Sequence, residues 1–147
     1  MVVAIGRSGI ATLKREGDGA SPRARIVPLA ALARRARPLA VPWRLTRPAD
    51  GWCDAPGHGR YNRACRLPFP ASAERMMRDD GLYDVVVVTD HNQRPRVRGR
   101  GSAIFVHVAR PGLAPTEGCV AFPAAVWRRG QVPLGPYLVG VDPRPVR

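Results

Sequence analysis

Residues 99–123, GRGSAIFVHVARPGLAPTEGCVAFP, hold two β-prone runs separated by a Pro- and Gly-rich turn. Successive side chains of a strand point to opposite faces. Alternation over Ser102–Ala109 therefore predicts a strand with Ala103, Phe105, His107 and Ala109 on one face. Residues 110–118 are turn chemistry, Val120–Phe122 predicts a short strand, and Pro123–Arg129 a helical turn. Upstream, the four valines within Leu82–Thr89 predict another strand, because β-branched side chains suit a pleated surface. Asn92–Gly101 between these strands reads as a basic loop.

Further out the signals weaken. Ala71–Arg78 predicts a helix, with Ser72 as cap, Glu74 in the first turn and Gly81 just beyond. Residues 46–70 predict a long irregular excursion anchored by Trp52 and Tyr61. Ile26–Leu45 fits neither period, and Pro28, Pro38 and Pro42 exclude a long helix, so it reads as strands with a break. Val2–Ile5 predicts a first strand, REGDGASP at 15–22 a turn, and Tyr137–Val141 a closing strand that runs into a loose tail, 141–147. The sum is a mainly β chain with one or two short helices.

The 147 residues predict a single domain spanning 1–147. Fifteen glycines and sixteen prolines suit a turn-rich β fold better than a helix bundle. No apolar run approaches the roughly 18 residues of a membrane span. The first residues, MVVAIGRSGI, lack the basic and apolar segments of a secretion signal, which leaves a cytoplasmic setting open. Basic residues number 24 against 11 acidic, a formal net charge of +13, and Lys14 is the only lysine. That balance favours an anionic partner. The densest clusters, Arg34, Arg35 and Arg37, and Arg94, Arg96, Arg98 and Arg100, are not interleaved with aromatics, which argues against a single-strand nucleic-acid site.

Chemistry concentrates in the quoted stretch. His107 lies near the end of one strand and Cys119 opens the next. A strand–turn–strand geometry places an imidazole beside a thiol, the pairing that makes a cysteine nucleophile. On this reading the thiolate is present near neutral pH, and the amides of Gly118 and Cys119 support an oxyanion. The spacing alone equally fits a structural cysteine beside a core histidine. Elsewhere, Cys53, His58 and Cys65 lack a fourth ligand at regular spacing, so no metal site is expected. Cys53 and Cys65 read either as free thiols or as a disulfide in an oxidising setting. Lys14 and Glu16 flank a GDG turn, either as a local ion pair shaping a cleft or as a solvated loop.

The run GSAIFVHV…PTEGCVAF resembles the catalytic motif of L,D-transpeptidase (YkuD-type) domains, most closely a compact branch with a GSAIF-x-H strand and a T-x-G-C-V-A turn. KREGDGASP at 14–22, DGWCDAP at 50–56, RYN at 60–62 and YDVVVV at 83–88 resemble further motifs of that branch, in order, so the likeness covers most of the chain. The resemblance implies an L,D-transpeptidase-like β-sandwich or barrel. Its Cys119 would be acylated by a peptidoglycan stem peptide, with His107 as base and no cofactor. It implies a cell-envelope or periplasmic setting. Gly118 matches the glycine before the nucleophile, Thr116 the hydroxyl residue of the turn, and Ser102 the GSAIF strand. Thr116, Ser102, His91 and Asn92 are the candidate substrate contacts. Three positions depart from the family pattern: Val108 after the histidine, Ala121 where Arg or Asn is usual, and Glu117 before Gly118. An arginine of the 94–100 loop is expected to replace the missing cation, and Glu117 is expected to face solvent. A cysteine peptidase or amidase, or a non-catalytic basic module for an anionic polymer or nucleic acid, are the alternative readings; neither acceptor nor oligomeric state is legible.

Overall fold

Regular structure along the chain is short and extended almost throughout, as the Gly and Pro content dictates. The computed structural model describes residues 1–142. The predicted first strand reduces to a single bridge, Ala4 to Ala121. Strands β1 (Ile10–Ala11) and β2 (Ser21–Pro22) pair in parallel around the GDG turn. Next come β3 (Ala24–Ile26), β4 (Pro28–Ala33), β5 (Trp43–Leu45), β6 (Asp50–Cys53), β7 (Arg63–Arg66) and β8 (Ala73–Arg75). The valine run forms β9 (Val85–Thr89), and the quoted stretch supplies β10 (Phe105–Val108) and β11 (Val120–Phe122). Helix α1 (Ala124–Arg128) and β12 (Tyr137–Val139) close the described chain. Of the expected tail, Val141 and Asp142 have no regular structure, and 143–147 lie outside the described residues.

The principal sheet has the order β11–β10–β9–β4–β5. Its two faces follow from alternation. Ala31, Val85, Val87, Val106, Val120 and Phe122 bury one face with Ile26, Trp127 and Val139. Val86 and Phe105 bury the other against Trp52, Met76, Leu82, Tyr83, Ala103 and Cys119. The edges of Phe105 and Trp52 meet at 5.2 Å between ring centroids, nearly perpendicular, the arrangement the ring quadrupoles favour. A second sheet, β7–β6–β8, delivers Trp52 and its neighbours onto this face. The fold is therefore mainly β and layered, with open sheets and not a closed barrel.

Two segments differ from expectation. Ala71–Arg78 is not a helix: Ala73–Arg75 pairs antiparallel with β6, Trp52 opposite Glu74. An isolated two-turn helix is marginal in water, whereas β6 offers this segment backbone partners and a core slot for Met76, which is fully buried. Residues 46–70 are likewise ordered, holding β6 and β7. Their pattern is polar because the outer sheet is half solvated, and Gly51 sits where a Cβ would meet Leu67 Cδ2 at 2.8 Å. The expected anchors Trp52 and Tyr61 are both buried.

Candidate active site

Parallel pairing of β10 with β11 sets His107 opposite Ala121. Cys119 precedes Ala121 by two residues, so strand alternation puts the nucleophile candidate one diagonal step from the histidine on the same face. Both side chains line a cleft of about 330 Å³ on the Trp52 side of the sheet, with Ser102, Thr116 and Tyr83.

The thiol is held by backbone. The Phe105 N–H donates to Cys119 Sγ at 3.4 Å, and the thiol itself donates to the Ala103 carbonyl at 3.1 Å. Burial pushes the thiol up to about 12, and the nearby Glu74 carboxylate adds to that rise. The expected thiolate near neutral pH is thus corrected: at rest Cys119 is a neutral thiol, because desolvation disfavours the charged form. His107 shifts the other way. Burial holds its imidazole below the ordinary histidine range, against a smaller opposing effect of its bond to the Val108 carbonyl. That bond, 2.8 Å from Nδ1, fixes the tautomer with the proton on Nδ1 and leaves Nε2 as acceptor. The Tyr83 ring packs edge-on at 5.3 Å from the imidazole, and its hydroxyl donates to Glu74 at 2.8 Å. Trp127 donates to the His107 carbonyl at 3.1 Å and fixes β10 from behind.

The turn before Cys119 is braced at both ends. Gly118 has φ +138°, and a Cβ there would meet the Ala20 carbonyl oxygen at 2.8 Å, so only glycine fits. Ser21 Oγ donates to the Gly118 carbonyl at 2.8 Å. The Gly118 N–H donates to Thr116 Oγ1 at 3.1 Å, and the Thr116 hydroxyl donates to the Cys119 carbonyl at 2.7 Å. Thr116 is thereby a turn brace as well as part of the cleft wall. The Gly118 amide is engaged in this brace, which leaves the amide of Cys119 for the expected oxyanion support.

The GDG loop forms the opposite wall. Asp18 accepts from Lys14 at 2.5 Å and from the Arg15 and Ala20 N–H groups, so Lys14 pairs with Asp18 and not with Glu16. Glu16 instead accepts from Tyr61 at 2.5 Å and from Ser102 at 3.1 Å. Ser102 thus lines the cleft with its hydroxyl tied to Glu16. Asn62, buried, accepts from the Trp52 indole at 3.0 Å and from the Ala103 N–H at 3.1 Å, and donates to the His91 and Asn92 carbonyls. The sequence marked RYN at 60–62 as a motif but not the bonds Asn62 makes, whose partners lie in distant segments.

His91 and Asn92 stand outside the cleft wall. His91 Nε2 lies 3.3 Å from the Arg100 carbonyl, and Asn92 bonds the Val97 and Gly101 carbonyls, bracing the basic loop. The loop arginines are absent from the cleft wall as well. The cations there are Lys14, Arg78 and Arg110. Arg78 lies over the Tyr83 ring at 5.0 Å and pairs with Asp80. Arg78, Tyr83, Glu74 and Asp54 are cleft residues that sequence reasoning missed; Glu74 is brought in by the pairing of β8 with β6. Glu117 faces solvent, paired with exposed Arg7 at 2.9 Å. Cys53 and Cys65 are free thiols, and His58 caps a turn by accepting from the Arg60 N–H. No protein-family model, curated protein or solved structure matches this chain.

Proposed function

We propose that the chain is a cysteine-dependent acyltransferase of the L,D-transpeptidase type that acts on peptidoglycan stem peptides in the cell envelope. The observation that carries the reading is one cleft receiving both the Cys119 thiol and the His107 imidazole, with Nδ1 of the imidazole tied back to Val108. In the proposed reaction, Cys119 attacks the substrate carbonyl carbon while its proton passes to Nε2 of His107. A neutral thiol and a neutral imidazole suit this concerted transfer, because no charge need be held in the buried site beforehand. The amide of Cys119 supports the oxyanion. Collapse breaks the amide bond, the leaving amine takes the proton from His107, and a thioester remains. An incoming amine then attacks the thioester and gives its proton to His107; the carbon–sulfur bond breaks as the new amide forms, and His107 returns that proton to the departing sulfur, restoring the thiol. Water in place of the amine gives hydrolysis, the peptidase alternative. Arg110 supplies the cation for a substrate carboxylate, since Arg78 and Lys14, the other cations of the cleft, are paired with Asp80 and Asp18.

The competing reading, a basic module with a packed thiol, draws on the burial of Cys119. Intact-mass analysis after incubation with a tetrapeptide stem or a carbapenem separates the two. We expect an acyl adduct that maps to Cys119, is absent in Cys119→Ala and is strongly slowed in His107→Gln. An unmodified Cys119, or an adduct indifferent to His107, would overturn the enzyme reading. Product masses with and without an added amine distinguish transfer from hydrolysis.

A further inference from the structure

A second cavity, of about 510 Å³, lies away from Cys119, between residues 37–40 and residues 127–134. Its volume falls in the range of small-molecule sites. The floor is apolar: Leu39, Val132 and Leu134 pack against the principal core beside the buried Trp127. The polar lining has one sign. Arg37, Arg128 and Arg129 stand around it, and the lining holds no Asp or Glu. Among the described residues these three guanidinium groups have no side-chain hydrogen bond or ion pair. Arg37 Nε is buried without any partner. Such donors are almost always satisfied in native proteins, so an orphan calls for an acceptor. The acceptor it fits is an anion, and the adjoining apolar floor fits a hydrocarbon body.

We propose that this cavity binds a free amphipathic anion, a phosphate or carboxylate carrying a short alkyl chain, with its head on Arg37, Arg128 and Arg129 and its chain against Leu39 and Trp127. Planar guanidinium groups bond such oxyanions in pairs, and the chain gains by leaving water. The proposal does not depend on the chemistry at Cys119.

The test uses the full chain, isotope-labelled, with hexyl phosphate as probe and the Trp127 indole N–H signal as readout, assigned by Trp127→Phe. We expect a saturable shift of that signal, with inorganic phosphate and hexanol each binding at least about tenfold more weakly, a loss of about 1.4 kcal/mol. Arg128→Glu with Arg129→Glu, both exposed, should weaken hexyl phosphate by at least about tenfold while the amide spectrum keeps its dispersion. Arg37→Gln should weaken it in the same direction. Equal affinity for inorganic phosphate would reduce the effect to general basicity and overturn the proposal. So would the absence of a saturable shift, or binding to phosphatidylglycerol vesicles without binding of the monomeric probe.

Discussion

Cys119 and His107 are both buried, and burial moves each toward its neutral form. This sets the pH behaviour. The proposed transfer requires the neutral imidazole, and burial holds His107 in that form below the ordinary histidine value. The acid limb of kcat/KM against pH should therefore fall below about 6.5, and the rate should be flat through neutrality. Stability follows the same group. In the unfolded chain the imidazole binds a proton near 6.5, whereas in the folded chain it resists until lower pH. The unfolded state thus holds more protons in that window, and stability, full above 6.5, drops as pH falls through the folded value. Chemical denaturation between pH 5 and 7 should show this slope, reduced in His107→Gln. In the proposed role of base, His107 should also be worth about 10²–10⁴-fold in turnover. Glu74 offers a further test. Its negative charge raises the thiol, so Glu74→Gln should speed iodoacetamide labelling of Cys119 at mildly alkaline pH, measured by peptide mapping. An unchanged rate would leave burial as the sole cause.

At the scale of elements, the site depends on a turn and a hub. Gly118→Ala places a side chain at φ +138° and against the Ala20 carbonyl. The strain should cost about 1–3 kcal/mol, with turnover lost beyond what unfolding explains, because Cys119 moves with the turn. Asn62→Ala removes the acceptor of both the Trp52 indole and the Ala103 amide. Each buried donor left alone costs about 1–3 kcal/mol, so urea unfolding should show a loss of about 2–6 kcal/mol. The quoted motif was legible because β10, β11 and α1 are coded locally, by alternation, β-branching and a following proline. The pairing of β8 with β6 was not: Ala73–Arg75 has no strand signature, and its conformation comes from a partner strand earlier in the chain.

The whole molecule carries a formal net charge of +13, and the ion pairs seen among the described residues, Arg7–Glu117, Lys14–Asp18, Arg44–Asp50 and Arg78–Asp80, engage few of its arginines. Self-repulsion of that magnitude destabilises the compact state. Raising ionic strength to about 0.15 M, where the Debye length is about 8 Å, should raise Tm in a thermal scan. The same salt should weaken sedimentation with intact peptidoglycan, since the attraction is exposed and screened. Tighter retention on duplex DNA with a steep salt slope would favour the nucleic-acid alternative.

By itself the sequence determined the β character, the place of β9, β11 and α1, the Phe105–Val108 part of the strand expected over Ser102–Ala109, and the outward-facing Glu117. These are properties of short windows, where residue type and spacing act through local sterics and alternation. Tertiary structure alone decided that Arg78 and not the 94–100 loop enters the cleft, that Lys14 chooses Asp18, and that the thiol stays neutral. Each of these depends on which distant segments exclude water or supply charge at a given atom, and a linear pattern does not carry that information.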